Sequence, residues 1–341
     1  MTNKKAFEIQ FNWIFVMIAG AAIIIFFTLI AVRQKSVSEA STEATILSGI
    51  ESVITGASVS TDTIKIVDIP NSNIEISCNR ISLGKVSKQY QNLILFAPSL
   101  IKGSKLITQT LEFKTPYRAA NLLYATSPQV RYIIIGDNDL AKEINRSLPL
   151  QTAKEYYPSY DSSKIKDFNN YKVRMVFANS NQPTAMPNSL IKTPDTGVSA
   201  IRITGDNKKG YIEFFQKKGN SFLSAGISSY AGLASLIGAV YADTQDSYEC
   251  SMANTFTRHK LITMIYKGKA NELINTASVK SDCKNTYNSA IGNLNTIEGK
   301  SASIEASRHL VLADINEIEK ASGELADKNK ELQKFSCPII Y

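Results

Sequence analysis

Residues Ile9 to Val32 form an uncharged run of 24, bounded by Glu8 and Arg33, and no other feature of the chain restricts it as much. A helix needs roughly 20 apolar residues to cross the hydrocarbon core of a bilayer, and Gly20 is tolerated inside such a helix. No second run of comparable length follows. The expectation is a single-pass protein held in the lipid bilayer by residues 9–32, with a short tail at 1–8 and all of 33–341 on one side. A signal peptide has an apolar core of about 7–15 residues. This one is longer, and only Ser38-Glu39-Ala40 is permissible as a cleavage site, so an uncleaved anchor is expected.

The flanking charges nearly tie: Lys4 and Lys5 against Glu8 on one side, Arg33 and Lys35 on the other. They decide little about orientation. The four cysteines decide more, because Cys78, Cys250, Cys283 and Cys337 all follow the span. An even count beyond an anchor points to disulfides in an oxidising compartment, so the large C-terminal part is expected outside the cytoplasm. Four buried thiols in a cytosolic domain is the competing reading. Four cysteines allow three pairings, which sequence cannot separate. Cys250–Cys283 would need a break in a helix read over 249–276, with Lys267-Gly268-Lys269 as the candidate. Cys337 has Cys78 or Cys250 as candidate partners.

Beyond the span, Val37, Ala40, Ala44, Leu47, Ile50 and Ile54 recur at spacings of three and four. That periodicity predicts one helical face over 33–56. It is either an amphipathic stalk continuing the membrane helix or a separate helix packed on the domain, ended by Thr55-Gly56.

Residues 57–227 read as an α/β domain with a mixed or parallel sheet. Strands are expected at 64–67, 73–78, 91–96, 106–113, 130–135, 172–178, 200–204 and 211–216. Val130–Ile135 is a continuous apolar run, as suits a central strand covered on both faces. Pro116 predicts the start of a helix reaching Ala125. Asp137-Asn138-Asp139 predicts the cap of another over 140–146. Gly205 to Gly210 reads as a hairpin turn. Residues 228–335 read as helical, with a buried helix at 230–241 too short to span a bilayer, further helices at 249–276 and 282–298, and a break at Glu298-Gly299-Lys300-Ser301. A last helix would carry Ile304, Val311, Ile318, Leu325 and Leu332 at strict sevens. Such a narrow stripe fits one partner helix. The preceding helix, in an antiparallel coiled-coil-like hairpin, is the simplest partner, and self-association is the alternative. Residues 336–341 form a tail.

No residue set earns a catalytic, cofactor or metal assignment. Asp195-Thr196-Gly197 resembles the active-site loop of aspartic proteases, in which two carboxylates share a proton. Here Lys192-Thr193-Pro194 replaces the apolar strand before the aspartate, and Asp243-Thr244-Gln245 lacks the glycine of a second copy. An ordinary turn is the reading adopted. His259 and His309 stand apart in the helical region and read as exposed or capped helix residues. The turn after Ile135 is where an α/β sheet would hold a ligand. It lacks Gly-x-Gly-x-x-Gly, and its acids would repel a phosphate. Residues 172–220 hold eight basic residues against three acids, within a net charge of +8. Nucleic acid is not expected beside a membrane, and a solvated, lysine-rich hairpin face explains the excess.

Phe11-Asn12-Trp13-Ile14-Phe15 through Ile18-Ala19-Gly20, then Gly56 to Ser60, Thr115 to Asn121 and the Cys-Pro-Ile-Ile-Tyr end at 337–341 are together similar to uncharacterised single-span membrane proteins of small archaeal genomes. That resemblance implies a membrane location and no activity. The architecture also resembles type IV pilin-like subunits, although Phe11 stands where their glutamate would follow a cut at Ala6. The expectation overall is a membrane-anchored, extracytoplasmic envelope protein that works through protein contacts, with a pilin-like subunit and a tethered hydrolase or ligand-binding domain as alternatives.

Overall fold

The computed structural model describes residues 4–166, 169–181, 183, 185–276 and 280–341, and omits the side chains of residues 4–15, 36, 37, 57 and 58. The expected stalk residue Val37 and span residues 9–15 are therefore described by backbone alone.

Helix α1 runs without interruption over Lys4–Val59. At 1.5 Å per residue its 56 residues extend about 84 Å. Among the described residues it is the one helix long and apolar enough to cross a membrane. Its apolar half has no protein cover: Ile24 is 68 % exposed. Its second half does have cover, since Leu47 and Ile50 are buried in a cluster with Ile69, Ile74, Ile81 and Leu83. The two sequence readings of 33–56 thus merge: the segment continues the apolar helix and also packs on the domain. Ala44, on the expected apolar face, lies exposed, but its neighbour Glu43 already accepts from the Lys85 N–H at 3.0 Å, so contact with the domain begins there.

That docking surface is a mixed sheet in the order β3-β2-β1-β5-β6-β4. It comprises β1 (Ile64–Ser77), β2 (Arg80–Leu83), β3 (Val86–Gln89), β4 (Leu95–Phe96), β5 (Leu100–Lys114) and β6 (Arg118–Thr126). The helix expected from Pro116 to Ala125 is strand β6, paired antiparallel with β5 through Leu111↔Leu122 and Gln109↔Tyr124. The reason lies in its two covers. Leu123 and Ala125 face the α1 cluster, while Leu122 and Tyr124 face the central core. A strand buried on both faces loses the apolar–polar alternation that would mark it, and packing then overrides the helix preference of Ala and Leu.

The second sheet, in the order β12-β11-β10-β9-β7-β8, holds β7 (Val130–Ile135), β8 (Ala153–Tyr157), β9 (Lys172–Ala178), β10 (Val198–Gly205), β11 (Lys209–Lys218) and β12 (Ser221–Ala231). Strands β10, β9, β7 and β8 are parallel, and β11 and β12 add on antiparallel. Helix α2 (Asp139–Ser147) crosses from β7 to β8, capped by the Asn138 side chain as expected. β12 extends to Ala231, so the helical region opens at Gly232 and not at Ser228.

Helix α3 (Gly232–Tyr241) lies between the sheets. Its Leu236, Ile237 and Val240 share one core with Phe96, Leu122 and Tyr124 of the first sheet and Tyr132, Ile134, Ile201 and Phe214 of the second. Gly238 is needed there, because a Cβ would lie 2.7 Å from the Phe96 ring.

Helices α4 (Gln245–Asn275), α5 (Ser281–Ser307) and α6 (Leu312–Lys334) complete the chain. Lys260 pairs with Glu305 and Lys267 with Glu298, so α5 returns along α4. Lys300 meets Asp314 and Glu317, so α6 reverses again. The break expected at Gly299 is absent. Cross-helix packing outweighs the roughly 1 kcal/mol cost of a helical glycine, and α5 ends instead at Arg308, whose φ is 52°. The run of sevens is therefore split. Ile304 is buried in α5, Val311 caps α6 and is 44 % exposed, and Ile318, Leu325 and Leu332 are buried along α6.

All four cysteines are joined. Cys78 bonds to Cys250 and Cys283 to Cys337, with Cα separations of 5.7 and 5.9 Å. Cys337 thus pairs with neither residue expected of it. The two reversals bring the end of α6 back to the start of α5, and α4 stays unbroken through Gly268.

Candidate functional site

The polar residues that converge most closely lie where β9 and β10 begin. Strand β9 opens on Lys172-Val173-Arg174, and its alternation sends both cations to the face that α3 covers. Asp243, in the corner between α3 and α4, accepts from the Ser99 backbone N–H at 2.6 Å and from its hydroxyl at 2.7 Å. The same carboxylate forms a buried ion pair with Lys172, and the Lys172 ammonium also reaches Ser99 Oγ at 3.4 Å. Arg174 lies behind them, fully buried. It donates to the carbonyls of Ala239 at 2.9 Å, Ala242 at 2.5 Å and Asp243 at 3.3 Å, with its guanidinium over the Phe214 ring. These carbonyls close the C-terminal end of α3, where a cation is favoured. Burial pushes Arg174 down to about 10, which leaves it charged at neutral pH.

Across the crevice, Asp195 sits in a 3-10 turn over Asp195–Gly197. Lys217 donates to it at 2.9 Å and the Gly219 N–H at 3.3 Å. The Lys217 ammonium holds the Asp195 carboxyl below its ordinary range. Thr196, Ser199, Gln216 and Thr244 complete a crevice of about 200 Å³. Ser199 is 6 % exposed and its hydroxyl has no partner among the described residues.

The fold therefore brings Asp195-Thr196 and Asp243-Thr244 to one crevice. Each aspartate has its own lysine, which is a different arrangement from two carboxylates sharing a proton. The Ser99 hydroxyl donates to Asp243, and Lys172, held in the same pair, has no lone pair with which to accept that proton. The groups a visitor can reach are the half-exposed Asp195 carboxylate, the Thr196 and Thr244 hydroxyls and the Gln216 amide, which suit a small polar molecule, while Lys172 is almost wholly buried. The sequence reading missed Ser99, Lys172, Ser199 and Lys217. Its available signal was Lys-Val-Arg at the head of a strand otherwise apolar.

The other candidates are dispersed. The turn after Ile135 is filled by protein. Asn138 donates to Ala178 O at 2.7 Å and accepts from Ala141 N–H, Tyr156 donates to Gly136 O, and a Cβ at Gly136 would meet Ala178 O at 2.5 Å. The basic stretch is not one solvated face: Lys172, Arg174 and Lys217 are buried, Arg202 pairs with Glu213 and Lys209 with Glu319. Among the described residues no group of three or more His, Cys, Asp or Glu side chains is placed to hold a metal ion.

The histidines differ from expectation. His309, half exposed, meets Glu249 at 2.5 Å. His259 is fully buried. Its Nε2 donates to Thr115 O at 2.6 Å, so Nδ1 accepts from Ser301 Oγ at 2.8 Å. Burial pushes its pKa down to about 4 from the usual 6.5. The unfolded chain therefore takes up this proton first. Stability is complete above pH 6.5 and falls as pH drops toward 4, by roughly 3 kcal/mol over the whole window. Denaturant titrations at pH 7 and pH 4.5 should show that loss in the native protein and a smaller one in His259→Gln. Equal losses would mean that other groups set the acid limit.

Comparison of the chain with known protein families, with curated proteins and with solved structures finds no match. The functional reading consequently rests on the geometry alone.

Proposed function

We propose that this chain is a single-pass membrane protein whose residues 33–341 lie outside the cytoplasm and act in the cell envelope by binding another protein. The observation that carries the reading is the position of the disulfides. Both join cysteines beyond the one helix apolar enough to span a bilayer, and such bonds persist in oxidising compartments. The pairing of Ser99, Lys172, Asp243, Asp195 and Lys217 among themselves favours binding over hydrolysis. Leu261, Met264 and Ile265, at 46–64 % exposure on one side of α4, supply a face for a protein contact or for self-association. Burial of Ile318, Leu325 and Leu332 at intervals of seven supports a coiled-coil-like hairpin of α5 and α6. With no free cysteine among the described residues, a cysteine placed at exposed Lys208 is expected to take a membrane-impermeant maleimide on intact cells. Labelling only after lysis would put the domain inside.

A second reading, a pilin-like filament or assembly subunit, is favoured by the continuity of α1 from its apolar half to buried Leu47 and Ile50. It requires processing near Ala6, and an intact Met1 or Thr2 by N-terminal sequencing of native protein would remove it.

A further inference from the structure

We propose that the end of the domain where β1 bends beside α1 rests on the bilayer that holds α1, and contacts anionic phospholipid head groups there. The proposal rests on the single-pass reading above. Its first support is height. Helix α1 is unbroken from its apolar half into the half that packs on the domain, so no flexible linker separates the two. From Val32 to Ser38 is about 9 Å of helix at ~1.5 Å per residue. The head-group layer adds about 5–8 Å to each side of the hydrocarbon core. Ser38 lines a groove between α1 and residues Pro70 to Asn73 of β1, so this part of the sheet stands at the head-group surface. Another protein could reach it only by displacing head groups.

The second support is local geometry. Strand β1 bulges between Asp68 and Ser72, where three of its residues oppose Ser104 alone on β5. Such a bulge bends the strand. The turn between β2 and β3 reaches the same place. Glu43 of α1 accepts from the Lys85 N–H at 3.0 Å, and Gly84, with φ 55°, lies too close to that carboxylate for a Cβ to fit. The third support is charge. Lys102 and Lys105 stand on either side of Gly103-Ser104, and Lys85 tips the turn. Lys85 and Lys105 are exposed, Lys102 lies over the Tyr171 ring at 5.6 Å, and none of the three has an ion pair within 4 Å among the described residues. The carboxylates at this end are largely engaged: Glu39 is 4.0 Å from Lys35, Glu43 holds the turn, and Asp68 stands opposite Lys105 in the ladder. Clustered lysines and arginines beside a span are drawn to anionic head groups. The exposed amides of Asn71 and Asn73 and the exposed Ser104 hydroxyl add neutral donors for phosphate oxygens.

The test places the full chain in lipid nanodiscs, of phosphatidylcholine alone or with one part in about three of phosphatidylglycerol, the anionic probe lipid. Ser104→Cys carries an uncharged fluorophore, and a trace of lipid bears a nitroxide on its head group as quencher. Lys208→Cys is the control, because Lys208 stands with Lys114 at the far end of β5, about 35 Å of strand from Gly103 at ~3.3 Å per residue. Tilting of α1 seats or lifts the bend, over a range of about 0–40°. Strong quenching is expected at 104 in anionic discs, weaker quenching there in neutral discs, and none at 208 in either. Each lysine near an anionic surface is worth about a fivefold preference, so Lys85→Gln/Lys105→Gln, which alters exposed residues only, should cut the seated-to-lifted ratio about 25-fold. Equal quenching at 104 in neutral and anionic discs, equal quenching at 104 and 208, or quenching unchanged in Lys85→Gln/Lys105→Gln would each overturn the proposal and leave the single-pass reading intact. A chain that does not enter the discs would overturn both.

Discussion

Replacing Cys78 and Cys250 together by serine is expected to lower the free energy of unfolding by about 5 kcal/mol. The bond closes a loop with a sequence separation of 172, against 54 for Cys283–Cys337. In the chain-entropy account the cost of losing a cross-link rises with the logarithm of loop length, which gives about 5 kcal/mol for the first and about 4 for the second. The location reinforces the ranking. Cys78 sits in the turn between β1 and β2, and Cys250 in the opening turns of α4, so the bond fastens the outer strands to the helix that carries the C-terminal half. Nearby, Asn254 donates to Asn79 at 2.8 Å and to Leu93 O at 2.7 Å, and these contacts need the same alignment. A typical domain has only about 5–15 kcal/mol in total, so the double variant should approach the folding threshold at 37 °C. Urea titration of the detergent-solubilised chain and of each double-serine variant measures both losses. A smaller loss for the 78–250 pair than for the 283–337 pair would show that strain or residual structure, and not loop closure, governs these bonds.

The second large effect is expected at Lys172. Lys172→Met removes one half of a buried pair and leaves the Asp243 carboxylate inside the protein with only Ser99 as donor. Removing one member of a buried pair typically costs about 3–5 kcal/mol, because the other charge is stranded. Asp243→Asn in the same background removes that charge, and should restore a large part of the loss. This non-additivity separates a desolvated pair from a solvated one. If Lys172→Met costs under about 1 kcal/mol, as exposed pairs do, water reaches the carboxylate and the crevice is wetter than its burial implies. The companion position Arg174 is a different case. Its two terminal nitrogens donate to carbonyls at the end of α3, while its buried Nε has no partner among the described residues, so its loss would unseat a helix end without stranding a carboxylate.

The errors of the sequence reading have identifiable causes. Segment 116–125 was legible as apolar but not as strand, because β6 is covered by α1 on one face and by α3 and α4 on the other. Gly299 and Gly268 carried a local preference for a break that three-helix packing overrode. The run of sevens from Ile304 to Leu332 continued on paper through Arg308, where the backbone turns left-handed and begins a new helix. His259 gave no warning of its burial. Its neighbours in sequence are Arg258 and Lys260, while the groups that accommodate it, Thr115 and Ser301, lie 144 and 42 residues away. Asp195 and Asp243 were both noticed, yet their shared crevice depends on β10 pairing with β9 and on α3 turning back between the sheets.

What the sequence by itself determined was whatever a short window encodes physically. The uncharged run at 9–32 specifies one long apolar helix through its length alone. Alternation specifies β1 of the first sheet, apolar runs and the Gly205–Gly210 turn specify β7, β9, β10 and β11 of the second, Asn138 specifies a cap, and the cysteine count specifies that bonds are worth expecting. What only the tertiary structure decided was everything that depends on distant pieces meeting: which cysteines pair, which lysine neutralises which aspartate, and which side of β6 is inside. The physical reason is range. Propensity and periodicity act over a few residues, whereas disulfides, buried ion pairs and cavities are set by contacts whose partners are fixed only after the sheets and helices have packed.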